Sequence, residues 1–232
     1  MMLNLEKLQQ WLLYTPHGRY TLLNERRFYH NSVHNVFGYH ALQIGLPKLN
    51  FLQGNKISRH YIIGDNIKCH LNYLPFENNS IDLIVCPHTL EFLPNYYQVL
   101  QEFGRVLIPR GKLIITSFNR NSFLGYQYQK NNFLQEAKPL QLEIIKQQLQ
   151  NLHFNIHGGK FFGYCPLIND AKLLSRLSFM DKIGDRWFPT YANVFGLIAV
   201  KDVVSRIPII KITPTYEQKL SPILGVTKIC KK

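Results

Sequence analysis

Apolar positions along this chain switch between two periods. Leu3, Leu5, Leu8, Trp11 and Leu12 recur near helical spacing and stop at Thr15-Pro16-His17-Gly18, which reads as a breaker cluster. A second helix is predicted from Tyr20 to about Asn35. Residues 39–44 form a short apolar run stopped by Gly45 and Pro47, and residues 59–63 form another followed by Gly64-Asp65-Asn66; both read as strands. Residues 69–73 hold a third short strand or a turn. Two further runs, 81–86 and 112–118, flank a helix whose stop is placed at Pro109-Arg110-Gly111. Strand, helix, strand in that order is the βαβ unit of a parallel sheet, because parallel strands need a crossover between them.

Beyond this unit, Leu140, Ile144, Ile145, Leu149 and Leu152 share one face of a predicted helix. Residues 154–164 read as a strand with an irregularity at Gly158-Gly159, and residues 169–185 as surface-facing helix. Residues 194–200, apolar on both faces, suit a strand inside the sheet rather than at its edge. From Lys201 the chain turns basic and carries Pro208, Pro214 and Pro222, the pattern of an extended tail. Periodicity therefore predicts an α/β protein with a mostly parallel, doubly wound sheet and N-terminal helices. The boundaries are a helical segment over 1–36, a main domain over 37–203 and a basic extended tail over 204–232.

Composition narrows the class. The 232 residues, 46% of them hydrophobic, suffice for one α/β domain with additions. No apolar run approaches the ~18 residues of a bilayer span, and the N-terminus lacks a secretory pattern, so a cytoplasmic protein without a transmembrane segment is expected. Cys69, Cys86, Cys165 and Cys230 are scattered, which argues against a zinc ribbon or a thioredoxin-like pair; no metal site is expected. The formal charge of +13 would attract nucleic acid, yet its cations are dispersed among abundant Lys and Asn rather than gathered in one block.

Residues 74–119 carry a resemblance. The Leu74-Pro75-Phe76 turn before a strand, and the phrase Arg105-Val106-Leu107-x-Pro109-x-Gly111 after a helix, resemble the second half of class I S-adenosylmethionine-dependent methyltransferases of the broad type 11 family. The resemblance implies a Rossmann-like, seven-stranded sheet in the order three-two-one-four-five-seven-six with the seventh strand antiparallel. It also implies S-adenosylmethionine as cofactor and a methyl acceptor that is unidentified, with a small molecule favoured.

The family's residues carry over position by position. Gly45, with Leu46 beside it, matches the first glycine of the cofactor loop, while Gln43 stands for the family's acid and Pro47 and Leu49 for its later glycines. Asp65, after Gly64, lies 20 residues beyond Gly45 and corresponds to the ribose-binding acid; a plain Gly-Asp-Asn turn is the other reading. His70 takes the place of the adenine-recognising acid, with Asn72 as a substitute contact and Leu74 as apolar wall. Pro87 and His88 follow the fourth strand of the family's order, where donor and acceptor meet. His88 is the candidate general base, because its ordinary pKa suits proton transfer near neutrality; a structural histidine is the alternative. Glu91 reads as a further candidate or as an early-helix acid. Phe123, Tyr126, Tyr128, Phe161, Phe162 and Tyr164 are acceptor-pocket candidates or core. The altered glycine loop leaves a second reading open, a methyltransferase-fold module that no longer binds cofactor. The basic tail leaves a third, an RNA-binding relative.

Overall fold

The computed structural model describes residues 2–122 and 137–202, apart from 167, 169 and 178. The basic tail, Cys230 and the aromatic group Phe123, Tyr126 and Tyr128 lie outside the described residues. Two helices open the chain, α1 (Met2–Tyr14) and α2 (Pro16–Val33). The cluster read as a breaker is instead the start of α2. Thr15 caps it by accepting from the Gly18 N–H at 3.0 Å, and Pro16 occupies the first turn, where a missing N–H costs nothing. A Cβ on Gly18 would sit 2.0 Å from the Trp11 carbonyl oxygen, so glycine lets the two helices join this tightly.

The strands follow as β1 (His40–Ile44), β2 (Arg59–Ile63) and β3 (Ile81–Pro87). A short 3-10 turn (Leu90–Phe92) then leads to α3 (Tyr96–Val106) and β4 (Leu107–Phe118). Last come α4 (Leu142–Asn151), β5 (Phe154–Phe162), α5 (Ala171–Arg176), α6 (Phe179–Trp187) and β6 (Val194–Lys201). Six strands form one sheet in the order β2-β1-β3-β4-β6-β5, with β6 antiparallel to both neighbours. Among the described residues this is the order anticipated from the resemblance without its third strand. Among the described residues, 69–73 make a turn in which Tyr73 N–H reaches the His70 carbonyl at 3.0 Å; His70, Asn72 and Tyr73 are exposed and have no apolar face to bury.

The Pro109-Arg110-Gly111 stop also lies elsewhere than anticipated. The helix ends at Val106, and Leu107 already pairs with Ile81 while Lys112 pairs with Leu83, so residues 108–111 loop out of β4 as a bulge with Arg110 at φ +66°. The Gly158 irregularity is likewise a register shift, between Ile156 and Gly158.

Alternation along the strands builds two cores. Leu83, Val85, Ile114 and Phe118 pack with α1 and α2, whereas Ile84, Cys86, Leu113 and Ile115 pack with α3 and α4. The connections from β1 to β2 and from β2 to β3 contain no helix, so α1 and α2 cover the face that a crossover helix would otherwise cover. The segment over 1–36 thus shares the core of the sheet. No helix among the described residues is long and apolar enough to cross a membrane.

Candidate active site

The chain leaves β1 through a loop organised by one buried amide. The Gln43 side chain donates to the carbonyls of Leu49 at 2.6 Å, Gly45 at 3.2 Å and Leu46 at 3.3 Å, and accepts from the Phe51 N–H at 2.9 Å. A carboxylate at this position could only accept, so the glutamine suits a loop whose carbonyls turn inward. Gly45 and Leu46 are both left-handed, at φ +86° and +46°. Glycine is required at 45 on steric grounds, because a Cβ there would lie 2.2 Å from the Thr89 hydroxyl oxygen. That hydroxyl sits 2.7 Å from the Ile44 carbonyl and 2.9 Å from the Pro87 carbonyl, tying the end of β1 to the end of β3.

A cavity of about 70 Å³ opens where β1 and β2 end. Ile44, Gly45, Ile63 and Gly64 form its sheet side, Cys69 and Leu71 one wall and Pro47 and Thr89 another; Leu5 and Glu6 of α1 close it. Gly64, at φ +99°, and Gly45 present bare backbone to the space. Glu6 is the only charged side chain in the lining.

Of the sequence-predicted residues, the structure brings Gly45 and Gly64 to this cavity; Leu46 and Pro87 are buried and not in its lining. Asp65, Asn72 and Leu74 are not in the lining. Asp65 is exposed on the turn after β2, where Asn66 Oδ1 accepts the Ile62 N–H at 2.7 Å and the Gly64 N–H reaches the Ile67 carbonyl at 2.8 Å. Asn72 is exposed and donates to Gln98 Oε1 at 3.2 Å. Leu74 is buried in the α3 core, its N–H on Glu102 Oε2 at 3.0 Å and its carbonyl on Arg105 Nη2 at 3.0 Å. Arg105 also holds the Phe76 carbonyl at 2.9 Å, so the Leu-Pro-Phe turn and the Arg-Val-Leu phrase are two halves of one clamp. Leu71, three residues earlier, reaches the cavity instead. The lining residues Leu5, Glu6 and Thr89 had no sequence signal, since helix docking places the first two and a single hydroxyl contact the third.

His88 is wholly buried at φ +46°, with its ring 4.1 Å from that of Phe118. Its Nδ1 lies 2.7 Å from Glu91 Oε1, and its Nε2 is hydrogen-bonded to Glu25 Oε1 from α2. Burial alone pushes the imidazole pKa down, but the two carboxylates outweigh it and raise it to about 10. With both ring nitrogens donating to carboxylates, neither accepts a proton from a third group. Glu91 Oε1 also accepts the Phe118 N–H at 2.8 Å, so the triad fixes the chain beyond β3 against the end of β4. Burial pushes the Cys86 thiol up to about 12. No cluster of His, Cys, Asp or Glu able to hold a metal occurs among the described residues.

Residues 39–115 match the family model described as a methyltransferase domain. A Thermotoga maritima structure described as an S-adenosylmethionine-dependent methyltransferase, a possible histamine N-methyltransferase, superposes with TM-score 0.61 at 17% identity, covering 85% of this chain and 96% of that one. An uncharacterized protein of Methanocaldococcus jannaschii is 33% identical over 89 residues, 38% of this chain and 39% of its own length. A demethylmenaquinone methyltransferase of Bacillus mycoides is 29% identical over 91 residues, 39% of this chain and 35% of that one. The chain thus spans about two fifths of the length of the first curated relatives it matches. Strand order and superposition show the fold of the class I S-adenosylmethionine-dependent methyltransferases, and residues 39–115 are the segment that resembles a methyltransferase domain in sequence.

The cavity is smaller than an adenosine. Small-molecule sites measure roughly 300–1,000 Å³. The space here is about 70 Å³, because α1 is folded onto it. Leu5 and Glu6 are the lining residues outside the sheet and its loops, and their displacement is what admission of a nucleoside requires.

Proposed function

We propose that this protein is an S-adenosylmethionine-dependent methyltransferase acting on a small-molecule acceptor. The observation that carries the reading is the cavity at the carboxyl ends of β1 and β2, bounded by Gly45 and Gly64. In open α/β sheets this crevice is where nucleotides bind. Gly45 and Gly64 supply backbone groups, Ile63, Cys69 and Leu71 an apolar wall, and Glu6 an acceptor for ribose hydroxyls in the absence of Asp65 from the lining. When bound, S-adenosylmethionine supplies an electrophilic sulfonium methyl, and the protein's contribution is alignment and exclusion of water. His88 serves as a positioning residue: pinned between Glu25 and Glu91, it holds the segment that follows β3. A small acceptor is supported by the demethylmenaquinone methyltransferases among the relatives.

The test is calorimetric titration of the full chain with S-adenosylhomocysteine, repeated on Cys69→Trp, which fills the cavity from a half-exposed position. Saturable binding lost in the variant supports the reading. A second reading, a domain of this fold serving as a binding module without cofactor, is favoured by Thr89 filling the space beside Gly45 and by the spent amide of Gln43. It predicts no heat at millimolar ligand.

A further inference from the structure

A second concavity, sharing no lining residue with the first, lies on the outer face of α2. Leu23, Arg26, Arg27, His30 and Asn31 follow helical spacing on the side opposite the buried Leu22, Phe28 and Val33, so amphipathicity alone turns them outward. The opposite rim is made by Asn50 and Gln53 from the loop after β1 and by Lys160 from β5. Tyr29 and Phe51, both buried with ring centroids 4.7 Å apart, form the floor. The space measures about 430 Å³. That falls within the rough 300–1,000 Å³ range of small-molecule sites.

Its charge is one-sided. Arg26, Arg27 and Lys160 line it and no Asp or Glu does. Among the described residues these three cations have no hydrogen-bonded or ion-paired partner, although Arg105 elsewhere is fully engaged. Exposed cations converging on one hollow repel each other and concentrate anions there. Guanidinium groups match the oxygens of a phosphate in paired fashion, an ammonium adds a point charge, and the flanking side-chain amides donate as well. An apolar aromatic floor beneath that rim suits the carbon skeleton of an organic ligand better than a bare ion.

We propose that this groove is a binding site for a small phosphomonoester, held by Arg26, Arg27 and Lys160. The inference is independent of the methyltransferase reading and stands whether or not the Gly45 cavity binds a nucleoside. The full chain is titrated by calorimetry at low salt with glycerol 3-phosphate, inorganic phosphate and a short single-stranded RNA in separate arms. Glycerol 3-phosphate should saturate one site. Arg27→Ala and Lys160→Ala should each weaken it about tenfold or more, the worth of one charge-assisted hydrogen bond. Arg27→Lys should recover part of the loss. Lys68→Ala removes the same unit of charge from an exposed position outside the groove and should change the affinity less than about twofold. Inorganic phosphate binding with equal affinity would retain the site and identify the free anion as its ligand. Absence of saturation by either phosphate, equal weakening by Lys68→Ala, or saturation by RNA alone would overturn the proposal.

Discussion

Replacing Glu25 with leucine strips one carboxylate from a buried imidazolium and leaves the remaining charges in an apolar setting. Glu25, His88 and Glu91 are essentially inaccessible, and the free oxygens Glu25 Oε2 and Glu91 Oε2 make no hydrogen bond within the protein. Breaking one side of a buried ion pair costs about 3–5 kcal/mol, here because the His88 Nε2–H stays buried with no acceptor while only Glu91 still faces the imidazolium. For a domain of this size each kcal/mol moves the melting point by about 2–4 °C, so Tm should fall by roughly 6–20 °C. Urea unfolding at pH 7 should show a lower midpoint with an unchanged slope, the signature of lost stability rather than altered compactness. Removing His88 as well, in Glu25→Leu/His88→Leu, leaves the Glu91 carboxylate buried with no counter-ion and should destabilise further than Glu25→Leu alone. The pH dependence has a definite sign. His88 is raised from 6.5 to about 10 on folding, so its contribution is fully present below about 6.5 and fades as pH rises through about 10. The wild type should therefore lose more stability than the double variant between those limits. A Glu25→Leu cost under about 1 kcal/mol, or identical pH slopes for wild type and double variant, would refute the charged triad.

Other substitutions test the scaffold of the site. Gln43→Ala removes four contacts to loop backbone and should destabilise by about 1–3 kcal/mol for each buried group left unpaired, read by urea midpoint. Gly45→Ala should destabilise the protein with or without ligand, since its methyl meets the Thr89 hydroxyl; Gly45→Ala with Thr89→Ser should fare no better, because the hydroxyl remains, whereas Thr89→Ala should relieve the clash. Arg105→Ala leaves the carbonyls of Leu74 and Phe76 without their donor and should cost about 1–3 kcal/mol, with faster amide exchange across residues 74–80.

The sheet was legible because its signals are local. Runs of apolar residues of strand length, bounded by Gly45, Gly64 and the Leu-Pro-Phe turn, marked β1 to β4 with errors of a residue or two at most ends. Misreadings arose where one residue type serves two purposes. Pro16 after a capping Thr15 begins a helix, while the same Thr-Pro pair signals a break when the cap is overlooked. Pro109 and Gly111 read as a helix stop, yet the bulge they form lets Leu107 enter the sheet before Lys112 resumes the pairing. The site was less legible because it depends on tertiary contacts. No periodicity reports that α1 lays Leu5 and Glu6 on the crevice, or that Glu25 reaches His88 across 63 positions of sequence. Asp65 had the expected spacing, but Asn66 bonds back to Ile62 and turns the chain so that the carboxylate faces solvent.

A hollow at Gly45 and Gly64 that admits the adenosine of S-adenosylmethionine once α1 yields must bind that cofactor in solution. Isothermal titration of the full chain with S-adenosylmethionine tests it most directly. Saturable one-to-one binding is expected, with a negative heat-capacity change from apolar burial, and absent in Cys69→Trp. No measurable heat at millimolar ligand, or undiminished binding by Cys69→Trp, would contradict it.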